Sequence, residues 1–229
     1  MTSDPISVLL VDDQALIRQA VADLVDQEPD IDVVGQAGNG REAVETARRL
    51  RPDVVLMDIR MPIMNGVEAT AAIRALPELD DTRVVVLTTF ENDDNALTAL
   101  RAGASGFVGK GTSPEALADA IRTVHAGDAL LSPQATRALI DRWLSPAKPP
   151  AVPRPPVLDE LTERESDILL RIARGRTNAD IAADLYLSPH TVKTHAHRIM
   201  AKIGAHDRAQ MVVFAYEHGV VAPGSRDAH

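Results

Sequence analysis

Short, nearly continuous apolar runs alternate with amphipathic stretches over the first half of the chain. The runs are rich in Val and Leu and lie at residues 8–12, 31–37, 54–58, 83–89 and 106–110. Runs that are apolar on both faces are typical of parallel strands covered by helices on both sides. Apolar positions with helical spacing follow each run, at residues 14–26, 41–50, 66–76, 93–102 and 114–126. The pattern predicts a doubly wound α/β fold with a five-stranded parallel sheet.

A proline-rich segment separates this region from one in which only helical patterns occur. Six of the twelve residues at 145–156 are proline, which predicts an extended, semi-rigid linker. A helix at 132–144 is predicted before it. The four helical patterns after the linker begin at Thr162, with Glu165 completing a capping box, and at residues 178, 189 and 207. The predicted parts are an α/β domain at 6–127, a linker helix and proline-rich linker at 128–157, and an all-α four-helix domain at 158–221.

Composition narrows the possible classes of protein. A chain of 229 residues is long enough for two small domains. It contains no cysteine, which excludes disulfides, thiolate zinc sites and cysteine nucleophiles. No apolar run approaches the roughly 18 residues of a membrane span, and the first residues lack the basic region of a signal peptide. We therefore expect a cytoplasmic protein without a membrane partner.

The net charge of −9 argues against a nonspecific nucleic-acid coat. It does not exclude a specific DNA reader, because local charge decides that property. Positive charge is concentrated at residues 189–208, where Lys193, Arg198, Lys202 and Arg208 stand against Asp207 alone. This short stretch is therefore the candidate for contact with DNA.

Polar side chains lie at the ends of four of the five predicted strands. Asp12 and Asp13 follow the first strand, Asp58 ends the third, Thr88 ends the fourth and Lys110 ends the fifth. The carboxyl ends of parallel strands form one sheet edge, so we expect these side chains to lie together. Three carboxylates in one place need a cation, and Mg²⁺ prefers oxygen ligands and bridges carboxylate to phosphate. A carboxylate can also attack phosphorus to form an acyl phosphate, helped by an ammonium and a hydroxyl group.

Each of these residues also has a purely structural interpretation. Asp12 and Asp13 could cap the following helix, and Asp58 could be an ordinary turn residue. Lys110 could be a solvated loop lysine, and Thr88 a β-branched strand residue. The joint occurrence of all five at one edge of one sheet favours a functional site.

The segments VDD, VVLMDIRMPIMNG, VLTTF and GASGFVGK, in this order and spacing, resemble the receiver domain of bacterial two-component systems. The resemblance covers about residues 6–127 and implies a flavodoxin-like sheet. It implies that a sensor histidine kinase phosphorylates Asp58. It also implies that Asp13, Asp58 and the backbone carbonyl of Arg60 bind Mg²⁺, while Asp12 holds metal-bound water.

The resemblance to the receiver domain also implies a conformational switch that involves Thr88 and Phe107. Thr88 and Lys110 would bind the phosphoryl oxygens, and Phe107 matches the aromatic position that turns inward as Thr88 moves. Core packing is the alternative role of Phe107. The sequence departs from the receiver pattern at Ile63, where relatives usually have glycine, and at Gly109 and Gly111, which flank Lys110.

The positions two residues after Asp58 and Thr88 are best placed to orient an attacking water. Arg60 and Phe90 occupy them, and neither side chain can accept a proton from water or hold it in line. We therefore hypothesise that the phosphoaspartate hydrolyses slowly without help.

The helix that begins at Ser188-Pro189 has an apolar underside and a basic, hydroxyl-bearing outer face. Such a helix suits the major groove, where Lys reads guanine and Thr approaches a thymine methyl group. The alternative is a small helical bundle whose charged face is only solvated. A histidine metal site is disfavoured, because His195 and His197 point in different directions on a helix.

The segment from LTERES to QMVVFA is similar, almost residue for residue, to the LuxR-type helix-turn-helix of NarL/FixJ response regulators, over about residues 158–221. The resemblance implies base-facing positions for Lys193, Thr194 and His197. The full set of predicted DNA contacts is Thr191, Lys193, Thr194, His197, Arg198 and Lys202. The last helix would form the dimer contact on DNA through Met211, Val212, Phe214 and Ala215, which could equally be core residues.

Together the two resemblances identify a two-component response regulator and not an enzyme. Phosphorylation would release the recognition helix from the receiver and favour a homodimer on paired DNA half-sites. An aspartyl-phosphate phosphatase would need a second Asp where Arg60 stands. A small-molecule-sensing LuxR-type regulator usually has a cavity lined by aromatic residues, which make up 3% of this chain.

Overall fold

The computed structural model describes residues 4–88, 98–127 and 155–221. The chain divides into two compact units, Met1–Leu130 and Leu131–His229. The predicted helix at 132–144 and all but the last two residues of the predicted proline-rich linker at 145–156 lie outside the described residues. No helix within the described ranges is both long enough and apolar enough to cross a membrane.

The first unit contains a five-stranded parallel sheet in the order β2-β1-β3-β4-β5. Its strands are β1 Ile6–Val11, β2 Ile31–Ala37, β3 Val54–Asp58, β4 Arg83–Thr88 and β5 Gly106–Gly109. Its helices are α1 Ala15–Val25, α2 Gly40–Leu50, α3 Gly66–Arg74, α4 at residues 98–101 and α5 Pro114–His125. The doubly wound α/β prediction is confirmed.

Alternate residues of the central strands pack on opposite faces of the sheet, as the two-residue period of a strand requires. On one face, Leu10 and Leu56 belong to a core with Ile121 of α5. On the other face, Leu9 belongs to a core with Ile73 of α3. The strands are therefore covered on both sides, which explains why the apolar runs lack alternation.

Within its described residues, 155–221, the second unit is all α. It comprises a 3-10 turn at Pro156–Asp159 and helices α6 Glu163–Ala173, α7 Asn178–Leu185, α8 Pro189–Ile203 and α9 Arg208–Glu217. The predicted capping box is present, since Thr162 and Glu165 bond reciprocally at the start of α6. Ser188 accepts from the Thr191 N–H at the start of α8. The four-helix prediction is confirmed.

The burial of α9 corrects the predicted dimer contact. Met211, Val212 and Ala215 are fully buried within the unit, so they have no free surface for a second chain. They take the alternative role, core packing. Phe214 is partly buried and stacks on His218 with ring centroids 4.2 Å apart, and its predicted dimer contact stays a prediction.

Candidate functional site

Three acidic side chains meet at the carboxyl edge of the sheet. The register pairs Val11 of β1 with Met57 of β3, so the next residues, Asp12 and Asp58, are neighbours across the strands. Asp13 completes the group, and each of the three offers a carboxylate oxygen within 4.8 Å of the others. Asp12 and Asp58 are buried, whereas Asp13 is exposed. The structure thus brings together the three carboxylates predicted from the strand ends.

Lys110, immediately after β5, supplies a positive charge to this group. Its Nζ lies 2.7 Å from Oδ2 of Asp12 and 3.0 Å from Oδ1 of Asp58. Burial by itself would lower the pKa of Lys110, but the bonds to Asp12 and Asp58 outweigh it and raise the pKa. The ammonium is therefore charged and held between two carboxylates, not solvated in a loop.

The carboxylate of Asp58 is held by the Lys110 ammonium and by a backbone N–H group. Its Oδ1 accepts a hydrogen bond of 2.8 Å from the Ile59 N–H. Burial raises the pKa of Asp58, Lys110 lowers it, and the charge of Asp12 adds to the rise, with a net pKa above the ordinary value. A nearby cation is what such a carboxylate needs to stay ionised.

The loop between β1 and α1 fixes Asp12. Its backbone N–H donates to the carbonyl of Ala37, and its carbonyl accepts from Nη1 of Arg18 at 2.7 Å. Oδ1 accepts from the Gln14 N–H at 2.8 Å, so Asp12 also organises the turn into α1. The N-cap residue of α1 is Gln14, which makes no side-chain cap bond. The turn-forming and site roles of Asp12 therefore coexist, one on each oxygen.

The loop after Asp58 passes so close to the strand end that only glycine fits at residue 66. A Cβ atom on Gly66 would lie 2.0 Å from the carbonyl oxygen of Asp58. The Gly66 N–H donates to the Ile59 carbonyl at 2.8 Å, which closes the loop. Sequence reasoning did not assign this role to Gly66, although its place within the receiver-like segment was a signal. Within the same loop, Ile63 adopts a left-handed backbone with φ of 70°.

Thr88 and Phe107 lie on the adjacent strands β4 and β5. Thr88 ends β4, and its carbonyl accepts from the Lys110 N–H at 2.8 Å. Phe107 of β5 is partly buried and packs against a small core that contains Ile59 and Val86. This contact supports the core-packing role of Phe107, and its switching role stays a prediction. Phe90 lies outside the described residues.

The outer face of α8 carries the predicted DNA contacts. His197 and Arg198 are exposed, and Thr191, Lys193 and Thr194 are partly buried. Beneath them, Val192 and Ile199 are fully buried against the other helices of the unit. Thr194 donates its hydroxyl to the carbonyl of His190 at 3.1 Å, which leaves the oxygen lone pairs and the methyl group on the helix surface. The helix thus has the predicted apolar underside and polar outer face.

The ammonium of Lys202, which is also a predicted DNA contact, is engaged within the unit. Nζ lies 2.7 Å from Oε2 of Glu165 at the start of α6 and 3.0 Å from the carbonyl of Glu160. Glu165 is buried, and the bond from Lys202, followed by the bonds from Thr162, lowers its pKa to about 2. The sequence showed Glu165 only as a capping residue and gave no sign of this partner.

Comparison with known families matches both units. Residues 8–122 match the family described as response regulator receiver domain. Residues 159–215 match the family described as bacterial regulatory proteins, luxR family.

Individual relatives extend over nearly the whole chain. The chain is 37% identical over 218 residues to the transcriptional regulatory protein LnrK of Bacillus subtilis, covering 94% of this chain and 98% of that protein. It is 36% identical over 216 residues to the response regulator protein VraR of Staphylococcus aureus, covering 94% of this chain and 99% of that one.

This chain is also similar to solved structures of response regulators. The response regulator ChrA of a heme-sensing two-component system is 30% identical, with a TM-score of 0.51 over 96% of this chain and 100% of that chain. A LuxR-family response regulator from Aurantimonas sp. SI85-9A1 is 32% identical, with a TM-score of 0.55 over 61% of this chain and 98% of that chain. The chain therefore belongs to the LuxR/NarL-type two-component response regulators, transcription regulators in which a receiver domain is joined to a LuxR-type DNA-binding domain.

Proposed function

We propose that Asp58 accepts a phosphoryl group from a sensor histidine kinase and that this modification controls DNA binding by the second domain. The observation that carries the proposal is the position of Asp58. It is a buried carboxylate at the sheet edge, 3.0 Å from the Lys110 ammonium and grouped with Asp12 and Asp13 within 4.8 Å. A carboxylate held among a lysine and two further carboxylates is suited to phosphoryl transfer with a divalent cation.

The donor set of the site fits Mg²⁺. Three carboxylates offer hard oxygen atoms within 4.8 Å of one another, which is the chemistry that this ion prefers. We propose that Asp13, Asp58 and the backbone carbonyl of Arg60 hold the ion, and that Asp12 contributes through water. When bound, Mg²⁺ supplies positive charge between the carboxylates and the incoming phosphoryl group.

Asp58, Lys110 and Thr88 have different roles in the proposed phosphoryl transfer. Oδ1 of Asp58 is held by the Ile59 N–H and by Lys110, so the proposed nucleophile is Oδ2. As the new O–P bond forms, the N–P bond of the donor phosphohistidine breaks and the imidazole of the kinase leaves. Lys110 and the hydroxyl of Thr88 bind the phosphoryl oxygens. We propose that the chain is not an enzyme acting on other molecules and promotes only its own phosphoryl transfer and dephosphorylation.

We further propose slow self-catalysed hydrolysis, because Arg60 and Phe90 cannot activate water. The half-life of the phosphorylated chain should shorten when a carboxylate is supplied by Phe90→Glu. Rapid loss of the label from the purified wild type, with the same rate in the variant, contradicts this part of the proposal.

The output is sequence-specific DNA binding in the cytoplasm. We propose that Thr191, Lys193, Thr194, His197 and Arg198 face the major groove and its flanking phosphates. Phosphorylation of the domain at 6–127 would shift the population towards a homodimer that binds paired half-sites through the domain at 158–221. The segment at 128–157 would act as the linker that permits this rearrangement.

The test is intact mass after incubation with acetyl phosphate and Mg²⁺, with Asp58→Asn as the matched control. We expect one added phosphoryl group on the wild type and none on the variant. A wild type that gains no mass from acetyl phosphate is then incubated with autophosphorylated histidine kinases. No transfer from any of them, or transfer that persists in Asp58→Asn, overturns the assignment of Asp58.

A further inference from the structure

The two lysines of α8 lie on opposite flanks of the helix. Lys193 and Lys202 are nine positions apart, which places them about 180° apart around the helix and about 14 Å apart along its axis. The outer face that carries Thr194, His197 and Arg198 lies between these two flanks. The flank of Lys202 faces the start of α6, where its Nζ contacts Oε2 of Glu165 at 2.7 Å.

We propose that Lys202 is a positioning residue, which fixes the recognition helix by anchoring its last turn to Glu165 instead of contacting DNA. The inference rests on α8 being the recognition helix, as proposed above. It replaces the sequence-based prediction that Lys202 itself binds DNA.

In the ion pair between Lys202 and Glu165, the carboxylate is the buried partner. The side chain of Glu165 is 6% exposed and that of Lys202 is 33% exposed. Glu165 also accepts from the backbone N–H of Thr162 at 2.9 Å and from its hydroxyl at 3.1 Å. Removing the ammonium to reach a phosphate would leave a buried carboxylate without its cation, which is strongly unfavourable.

Lys202 also connects three parts of the domain, which are α8, α6 and the segment just before α6. Lys202 lies in the last turn of α8 and Glu165 in the first turn of α6, where a cation and an anion respectively are favoured by the helix dipoles. The same Nζ donates to the carbonyl of Glu160, just before α6 begins. The Lys202 side chain therefore holds the end of α8 against α6 and against the segment that leads into α6.

Two substitutions test the proposal against the alternative that Lys202 contacts DNA directly. Under that alternative the two variants have opposite effects on binding. Lys202→Met removes the cation. Glu165→Gln removes the charge of its partner, while Gln at this position keeps the capping box. If Lys202 positions the helix, both variants weaken specific binding and the double variant is no worse than either. If Lys202 contacts DNA, Glu165→Gln frees it, and binding is unchanged or tighter.

The measurement compares the full-length variants on two duplexes, one selected by the wild type from a randomised pool and a scrambled version of it. We expect each variant to bind the selected duplex about tenfold more weakly, which is roughly the loss of one base contact. Affinity for the scrambled duplex and the slope of log K against log salt should stay as in the wild type.

Three results overturn the proposal. The first is equal weakening on both duplexes with a slope reduced by about 0.9, the signature of a lost phosphate contact. The second is unchanged or tighter binding of the selected duplex by Glu165→Gln. The third is equal weakening with an unchanged slope, which circular dichroism would trace to loss of folded protein.

Lys193→Met tests the underlying assignment separately. It should lower affinity for the selected duplex. If it and Thr194→Ala both bind like the wild type, the assignment of α8 as the recognition helix fails, independently of the role of Lys202.

Discussion

Nζ of Lys110 lies 2.7 Å from Oδ2 of Asp12, a residue 98 positions earlier in the chain. The same ammonium lies 3.0 Å from Oδ1 of Asp58. One lysine after the fifth strand therefore supplies positive charge to carboxylates at the ends of both the first and the third strand.

Replacing Lys110 with Met should destabilise the receiver domain by about 3 kcal/mol in the absence of Mg²⁺, because two buried carboxylates then face each other without a cation. Mg²⁺ should restore more stability to this variant than to the wild type, since the ion supplies the missing charge. Urea unfolding with and without Mg²⁺ measures both effects. Lys110→Arg keeps the charge and is the control, and an identical Mg²⁺ response in Lys110→Met and the wild type contradicts the prediction.

Gly66→Ala should destabilise the receiver domain by about 3 kcal/mol, because overpacking against backbone cannot be relieved by a side-chain rotation. The added Cβ would lie 2.0 Å from the Asp58 carbonyl oxygen. It should also slow phosphorylation by acetyl phosphate, since the loop that holds Asp58 must move. Gly111→Ala is the matched control, because a Cβ there meets nothing within 4 Å. Equal stability and equal rates in the two variants would show that the close approach is unimportant.

Ile63→Gly should raise the free energy of unfolding by about 1 kcal/mol. A β-branched residue with φ of 70° is strained, and glycine removes that strain at the expense of a more flexible unfolded chain. The side chain is 73% exposed, so little packing is lost. Chemical unfolding measures the change, with Ile63→Ala as a control that keeps a Cβ and should gain less. A loss of stability in Ile63→Gly would contradict the strain argument.

Glu165 should make the DNA-binding domain sensitive to acid. Its pKa is lowered to about 2 in the folded domain, chiefly by Lys202, so its stabilising effect is present above the ordinary pKa of about 4.3 and is lost as the pH falls towards 2. At pH 7 the wild type should exceed Glu165→Gln in stability by about 2 kcal/mol, allowing for screening at the partly exposed lysine. The difference should shrink steadily between pH 5 and pH 3.

Urea unfolding across this pH range checks the prediction. Asp180→Asn is the control, because Asp180 makes the same kind of capping box with Thr177 at an exposed position. A wild-type advantage over Glu165→Gln that does not change with pH would show that the ion pair contributes nothing to acid sensitivity.

Much of the architecture was readable from the sequence, because its signals are local. The apolar runs at 31–37 and 54–58 coincide with β2 and β3. The box of Thr162 and Glu165 marked the start of α6, since a cap needs only residues three positions apart. The grouping of Asp12 with Asp58 also followed, because parallel strands end at the same edge.

The remaining features depend on which elements pack against which. Burial of Met211 and Val212 could not be read from an apolar pattern, because a core face and a dimer face have the same spacing. The partner of Lys202 and the tight fit at Gly66 arise between groups that are close only in the folded chain. Periodicity and capping are properties of neighbouring residues and were determined by the sequence alone. The direction of a charged side chain and the space beside a backbone atom are decided by tertiary packing.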